Sequence, residues 1–215
     1  MIKSLYTKFI NWSCTGSVWI ISDTHFEDDD CKYMDNNWIT PEDHIVNINK
    51  MVMPVDTLIH LGDVGNAEWV DKIRARRKIL ITGNHDKLSE VQRHFHETFT
   101  GPLFIADRIL LSHEPIFGLE EFCLNIHGHD HAGTQYKNHI NLASNVCGYK
   151  PVSLGKLIKQ GVLSNISNYH RITIDEASKR NKYKESSDGW FKYYVNVETG
   201  EKKFKLDDDD VLDET

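Results

Sequence analysis

The sequence predicts an α/β protein, on three observations. Short apolar runs rich in Ile, Leu and Val recur between residues 18 and 146, and runs of this length are typical of buried strands. Segments with helical spacing lie between the first three of them, at 41–53 and 66–75. Each run ends in polar residues, often Asp, Asn or His. Strands separated by helical segments are the pattern of layered α/β proteins.

The predicted strands are VWIIS (18–22), TLIHLGD (57–63), KILITGN (78–84), RILLSH (108–113), CLNIHGH (123–129) and HINLASNV (139–146). The helix at 41–53 is expected to begin at Pro41 and to place Ile45, Ile48 and Val52 on one face, because Pro suits the first helical turn. Ser153 and Gly161 have the positions of an N-cap and a helix end, so they predict a short helix between them.

The chain is expected to form a single domain over residues 1–206. Its last part, 175–206, is predicted to be an appendage made of a charged helix at 175–186 and a hairpin at 190–206 with its turn at 198–200. Residues 207–215 are expected to be disordered, because a block of like charges has little apolar surface to bury. The aromatic hairpin suits packing against the sheet or a second copy, so a homo-oligomer through it is an expectation.

Composition argues against several classes of protein. The formal net charge is −7, but six acids fall in the last ten residues, LDDDDVLDET, so the body is close to neutral. A neutral body argues against long nucleic acid as a partner, since that binding relies on Lys and Arg. Four cysteines without a CxxC pair predict neither a disulfide framework nor a zinc ribbon and suit a reduced, cytoplasmic location. No apolar stretch reaches the length of a membrane span.

Polar residues that bind metals follow five of the predicted strands. They are Asp23 and His25 after the first, Asp63 after the second, Asn84, His85 and Asp86 after the third, His113 after the fourth, and His127 and His129 after the fifth. Ligands of open α/β sheets lie beyond the carboxyl ends of the strands. Imidazole and carboxylate without thiolate suit Mn, Fe, Zn or Ni. These side chains exceed the need of one ion, and two ions that share a carboxylate can clamp a phosphoryl group during displacement.

The order DTH, GD, GNHD, H and GHxH resembles the calcineurin-like metallophosphoesterase family. The resemblance runs from about Trp19 to Leu154 and includes YKPVSL (149–154), which is similar to the closing segment of small bacterial and phage members. It implies a four-layer α/β/β/α sandwich with the metal site at the carboxyl ends of the central strands. It also implies hydrolysis of a phosphate ester by two divalent metal ions.

The resemblance implies a role for each residue of the set. The implied ligands are Asp23, His25 and His129 for the first metal, Asn84, His113 and His127 for the second, and Asp63 for both. The attacking group would be a hydroxide that bridges the metals. His85 would face the substrate and assist the leaving group, with Asp86 or another carboxylate orienting its ring. Mn²⁺ is the expected ion, with Fe, Zn or Ni as alternatives.

Two departures from the family pattern bear on function. The protein-phosphatase branch has an arginine shortly after GD and reads GNHE, whereas this chain has GDVGN and GNHD; a protein phosphatase is therefore not expected. Small members often show Gly-His after DTHF, where this chain has Glu27-Asp28. We expect residues 27–30 to be a solvated rim, and the alternative that Glu27 or Asp28 contacts a metal ligand remains open.

Two further histidines have no assigned role in this set. His60 lies inside the second strand and is expected to be a buried core residue. His131 follows His129 by two residues, and it either reaches a substrate phosphate or is solvated.

The expected activity is hydrolysis of a small phosphodiester of nucleotide type. This preference rests on family analogy, which does not fix function. A small-molecule phosphomonoesterase, a non-catalytic metal-binding scaffold of the same fold, and a nuclease are the alternatives. The nuclease has little support from the neutral body.

Overall fold

The computed structural model describes residues 3–4, 6–13, 16–188 and 191–204. The chain divides into two compact units, Met1–Ser167 and Asn168–Thr215. The first unit has two five-stranded sheets with parallel pairs, and helices accompany them. The predicted α/β class is therefore confirmed. The acidic segment 207–215 lies outside the described residues.

The strands are β1 (Lys3–Ser4), β2 (Val18–Ile21), β3 (Thr57–His60), β4 (Arg77–Ile81), β5 (Glu97–Phe99), β6 (Leu103–Ala106), β7 (Ile109–Leu111), β8 (Leu124–His127), β9 (His139–Asn141), β10 (Val152–Ser153), β11 (Tyr183–Asp188), β12 (Phe191–Asn196) and β13 (Lys202–Phe204). The α-helices are α1 (Tyr6–Ser13), α2 (Cys31–Met34), α3 (Pro41–Met51), α4 (Leu88–Val91), α5 (Leu154–Lys159) and α6 (Tyr169–Asn181). Two 3₁₀ helices span Ala67–Lys72 and Gln92–His94.

The first sheet has the strand order β10-β2-β3-β4-β5. Strands β2 to β5 are parallel, and β10 joins β2 antiparallel. The carboxyl ends of β2, β3 and β4 therefore lie side by side. The loops that start at Ser22, Leu61 and Thr82 leave this one edge together.

The second sheet has the order β1-β6-β7-β8-β9, with β7, β8 and β9 parallel. Its inward residues, among them Leu111 and Ile126, share a buried cluster with Ile20, Ile59 and Ile81 of the first sheet. The two sheets thus pack face to face around an aliphatic core. Beyond the strands, a parallel bridge pairs Ser22 with Ala143 and joins the two sheets at the edge from which the loops leave.

Helix α3 covers the other face of the first sheet. Thr40 caps it by accepting a hydrogen bond from the N–H of Asp43, and Pro41 occupies its first turn. Thr and Pro both favour these positions at the start of a helix. Ile48 is fully buried in a second cluster with Leu58 and Leu80. The helical spacing of the sequence therefore identifies the face that meets the sheet.

Several elements differ from the sequence predictions. Residues 67–72 form a 3₁₀ helix in place of a helix over 66–75. Strands β5 and β6 lie between the predicted strands 78–84 and 108–113, where the sequence predicts no strand. In the second unit, α6 ends at Asn181 and the chain continues as β11, which pairs antiparallel with β12. The predicted hairpin is present as β12 and β13. Among the described residues, every helix is too short or too polar to cross a membrane.

Candidate metal centre

The chain turns sharply where the first-sheet strands end. Asp23, His25 and Asp63 have φ values of 55°, 40° and 55°, and His129 after β8 has 66°. Residues other than glycine rarely adopt this left-handed conformation, and it is concentrated at functional sites. The turns aim side chains from both sheets at one point between the strand ends.

One set of side chains, here called the Asp23 group, consists of Asp23, His25 and His131. One donor atom from each lies within 4.8 Å of the others. Oδ2 of Asp23 accepts a hydrogen bond from the N–H of His129 at 2.9 Å. Oδ1 of Asp23 and Nε2 of His25 are buried and have no hydrogen-bond partner among the described residues. Buried electron-pair donors are unfavourable when they have no partner, and a cation bound between these two atoms would satisfy both.

The second set, here called the Asp63 group, consists of Asp63, His113 and His129. Three atoms that can donate an electron pair to a metal lie around Nε2 of His113. They are Oδ2 of Asp63 at 3.3 Å, Oδ1 of Asn84 at 2.9 Å and Nδ1 of His129 at 3.2 Å. Oxygen and unprotonated nitrogen atoms repel one another at such distances. A proton or a metal ion must therefore lie among them, and the donor set suits a divalent metal.

Oδ2 of Asp63 lies between the two groups. It is 3.8 Å from Nε2 of His25 and 3.3 Å from Nε2 of His113. Burial alone would raise the pKa of Asp63, but the hydrogen bonds from His113 and from the N–H of His85 outweigh burial and lower it to about 2. Burial likewise opposes protonation of His113, yet the Asp63 carboxylate raises the pKa of His113 overall. A shared carboxylate oxygen is the feature that lets two metal ions occupy adjacent positions.

Three histidines of the two groups have their Nδ1 atoms paired with an oxygen of the protein. The pairs are His25 with Oδ2 of Asp28 at 2.9 Å, His113 with the carbonyl of Leu61 at 2.8 Å, and His131 with Oδ1 of Asn145 at 3.0 Å. Because these oxygens accept, Nδ1 carries the proton and donates. When a metal ion is bound, each ring is neutral and its Nε2 lone pair is available to the ion, whereas without an ion Nε2 of His113 can carry a proton towards Asp63. Metal-binding histidines in proteins have this arrangement.

Two glycines let the loops approach the carboxylates. A Cβ atom on Gly83 would collide with Oδ1 of Asp63, and one on Gly128 would collide with Asp23 and with the hydroxyl of Ser22. Both glycines belong to the motifs GNHD and GHDH. They are needed because backbone packs directly against the candidate metal ligands.

The side chain of His85 is exposed, and its ring lies 5.7 Å from that of His25 between centroids. The N–H of His85 donates to Oδ1 of Asp63 at 2.9 Å. The imidazole therefore lies beside the Asp23 group and is open to a bound molecule.

Asp86 has a different position from the one expected. Its two oxygens accept hydrogen bonds from the N–H groups of Asp63, Val64 and Gly83, each at 2.9 Å. The carboxylate thus ties the loop after β3 to the loop after β4. This contact with three backbone amides differs from the expected role of orienting the His85 ring.

His127 also lies elsewhere than expected. It is the last residue of β8, and its ring lies 5.3 Å from His139 between centroids, while Ile126 faces the core. Its Nδ1 donates to the carbonyl of Gly128, and burial lowers its pKa. Neither group of candidate ligands includes it. The structure instead places His129 in the Asp63 group and His131 in the Asp23 group, so both positions assigned from the sequence are displaced by two residues.

His60 is a buried core residue, as expected. It accepts from the N–H of Gly62 at Nδ1 and donates from Nε2 to the hydroxyl of Thr24 at 3.0 Å, and that hydroxyl donates to the carbonyl of Val64. Burial lowers the pKa of His60 to about 4. The neutral ring links the loops after β2 and β3 behind the centre.

The rim carboxylates divide between two uses. Asp28 contacts His25, as described above, whereas Glu27 accepts hydrogen bonds from Asn66 at 2.6 Å and from the indole N–H of Trp69 at 2.8 Å. These two bonds lower the pKa of Glu27. Among the four rim residues, Asp28 alone touches a candidate ligand within the described contacts.

Comparisons with known proteins bear on the family to which the chain belongs. Residues 17–149 match the calcineurin-like phosphoesterase superfamily domain. The uncharacterized protein MJ1445 of Methanocaldococcus jannaschii is 30% identical over 169 residues, which cover 66% of this chain and 89% of that protein.

The crystal structure of AQ665, a protein of unknown function from Aquifex aeolicus, is similar with a TM-score of 0.54 and 26% sequence identity. The similarity covers 67% of this chain and 98% of that one. The domain match spans the strand ends that carry both groups of side chains. The chain belongs to the calcineurin-like phosphoesterase superfamily, whose members hydrolyse phosphoesters with divalent metals.

Proposed function

We propose that the protein is a phosphodiesterase that uses two divalent ions, with Mn²⁺ as the first candidate. The observation that carries the proposal is the position of Oδ2 of Asp63 between the two groups. In this proposal Asp63 contributes to both ions. The remaining ligands are Asp23, His25 and His131 for one ion, and Asn84, His113 and His129 for the other.

When bound, the ions would polarise the phosphoryl oxygens and make water acidic enough to attack near neutral pH. Residues of the chain would orient the ligands and balance the charge of the ions. The Nδ1–H donors of His25, His113 and His131 hold each ring in one orientation. The buried carboxylates of Asp23 and Asp63 would balance the positive charge of the ions.

His85 is the proposed general acid. Its backbone is held by Asp63 and its exposed ring stands beside the Asp23 group, so a proton on the imidazole can reach the leaving oxygen of a bound ester. Substituting His85→Ala should lower turnover by roughly 10²–10⁴-fold, the usual contribution of general acid catalysis, with metal binding unchanged. A His85→Ala variant as active as wild type would remove this role.

The preference for a diester rests on the absence of the phosphatase arginine after Asp63 and on the GNHD motif. It is tested with bis-p-nitrophenyl phosphate and p-nitrophenyl phosphate, each with metal-free protein before and after addition of Mn²⁺. We expect faster turnover of the diester and none without metal. Faster turnover of the monoester would favour the phosphomonoesterase. Metal binding without turnover of either ester would favour the scaffold.

A further inference from the structure

The contact between Asp28 and His25 differs in charge from the equivalent contacts of the other histidines. Nδ1 of His113 and of His131 donate to the neutral oxygens of Leu61 and Asn145. His25 alone, among the three rings paired in this way, donates to a carboxylate, at 2.9 Å. A carboxylate on the far nitrogen makes an imidazole a stronger electron-pair donor.

The backbone holds Asp28 in place. Its N–H donates to the carbonyl of His25 at 3.1 Å, and Oδ1 of its carboxylate accepts from the N–H of Asp30 at 2.9 Å. Oδ2 is thereby left for His25, and the His25 ring is itself only 4% exposed. The Asp28 side chain is 33% exposed, so solvent screens its electrostatic interaction with His25 while the hydrogen bond remains.

We propose that Asp28 is the positioning residue of the Asp23 group: it orients the His25 ring and strengthens the binding of a divalent metal there. This inference rests on the proposed function. It also assigns a use to the acidic loop after DTHF, where small relatives often have Gly-His and this chain has Glu27-Asp28.

The test is titration of metal-free, full-length protein with Mn²⁺ in a calorimeter, which reports binding without any turnover. Asp28→Ala removes both the acceptor and the charge, whereas Asp28→Asn keeps an oxygen that accepts from Nδ1. Asp29→Asn is the matched control, because Asp29 is an exposed carboxylate of the same loop.

We expect Asp28→Ala to weaken one of two binding events by roughly 10–100-fold, the usual effect of losing such an outer partner. Asp28→Asn should lie between Asp28→Ala and wild type, and Asp29→Asn should match wild type. The second event should be unchanged in all three variants.

Each result decides a different point. Wild-type affinity in Asp28→Ala overturns the inference and leaves the proposed function standing. Wild-type affinity in Asp28→Asn shows that the negative charge of Asp28 does not strengthen metal binding. Wild-type protein that binds no Mn²⁺ or Zn²⁺ removes the proposed function and this inference with it. If Asp28→Ala fails to fold, as judged by circular dichroism, Asp28→Leu replaces it, because leucine also lacks the acceptor and the charge. Wild-type affinity in that variant then overturns the inference.

Discussion

Nε2 of His131 lies 3.6 Å from Oδ1 of Asp23, a fully buried oxygen without a hydrogen-bond partner among the described residues. The opposite nitrogen of the same ring pairs with Oδ1 of Asn145. A ring fixed at one nitrogen and open at the other, against an unpaired carboxylate oxygen, has the geometry of a metal ligand.

This relationship separates His131 from His127 in a direct experiment. We expect His131→Ala to abolish one of two Mn²⁺ binding events, because it removes a donor of the Asp23 group. His127→Ala should retain both events and lower only the free energy of unfolding, since that ring is buried beside His139. Calorimetric titration of both variants measures this. Loss of an event in His127→Ala with none in His131→Ala would restore the assignment made from the sequence.

The fold and most of the site were predictable because strand ends are visible in the sequence. Asp23, Asp63 and His113 each follow an apolar run that ends abruptly. In HGHDH, three histidines alternate, and the pattern does not show at which one the strand stops. The structure ends β8 at His127 and turns the chain at His129. Asn145 was missed because its contact joins two loops, which no local pattern records.

The two sheets were similarly predictable, apart from the strands with the weakest sequence pattern. β5 has the sequence ETF, which lacks an apolar run, and β6 is a short hydrophobic stretch next to Gly101-Pro102. Both acquire strand structure by pairing, β5 with β4 and β6 with β7. Pairing of this kind is set by tertiary context rather than by local preference.

Asp63→Asn should remove more metal affinity than any other single change in the centre. The substitution removes the negative charge that both groups share, at an oxygen that lies 3.3 Å and 3.8 Å from two imidazoles. We expect both Mn²⁺ binding events to weaken by more than the roughly 10–100-fold of an outer partner, and turnover to be lost. Metal content after dialysis and diesterase activity measure this. Weakening of a single event would show that Asp63 does not serve both ions.

Asp86 is predicted to matter for stability. Asp86→Ala leaves the N–H groups of Asp63, Val64 and Gly83 without their acceptor. Unpaired backbone amides and the loss of charge-assisted bonds should cost about 2–4 kcal/mol in the free energy of unfolding. Urea denaturation of metal-free protein measures it, with exposed Asp29→Ala as control. Wild-type stability with reduced turnover would instead support the role of orienting His85.

Substitution of Gly83 tests whether the backbone must approach Asp63 closely. Gly83→Ala places a methyl group against Oδ1 and the N–H of Asp63, so we expect a loss of about 1–3 kcal/mol of stability from overpacking, together with weaker metal binding. Gly155→Ala is the control, because the nearest atom to its added methyl is the Ser153 hydroxyl at 3.9 Å and it lies in α5. That variant should be neutral or more stable by up to about 1 kcal/mol. Equal effects of the two changes would contradict the prediction.

The buried ring of His44 should make the stability of the protein depend on pH. Its ring is buried against Phe26, Trp38 and Tyr149, and neither nitrogen has a hydrogen-bond partner among the described residues. Burial lowers the pKa of His44 to about 4 in the folded protein, whereas an unfolded chain has about 6.5. The unfolded state therefore binds more protons between these values, so stability is fully present above pH 6.5 and falls as the pH drops towards 4.

The contribution of His44 to this loss is at most about 3 kcal/mol, from 1.36 kcal/mol per pKa unit. His44→Phe keeps an aromatic ring and removes the titrating group, so its free energy of unfolding should depend less steeply on pH than that of wild type. Urea denaturation of both metal-free proteins from pH 4.5 to pH 7.5 measures the difference. Because every other titratable group is common to both proteins, the difference between their two slopes belongs to His44. Parallel curves would show that His44 is protonated with equal ease in the folded and unfolded states.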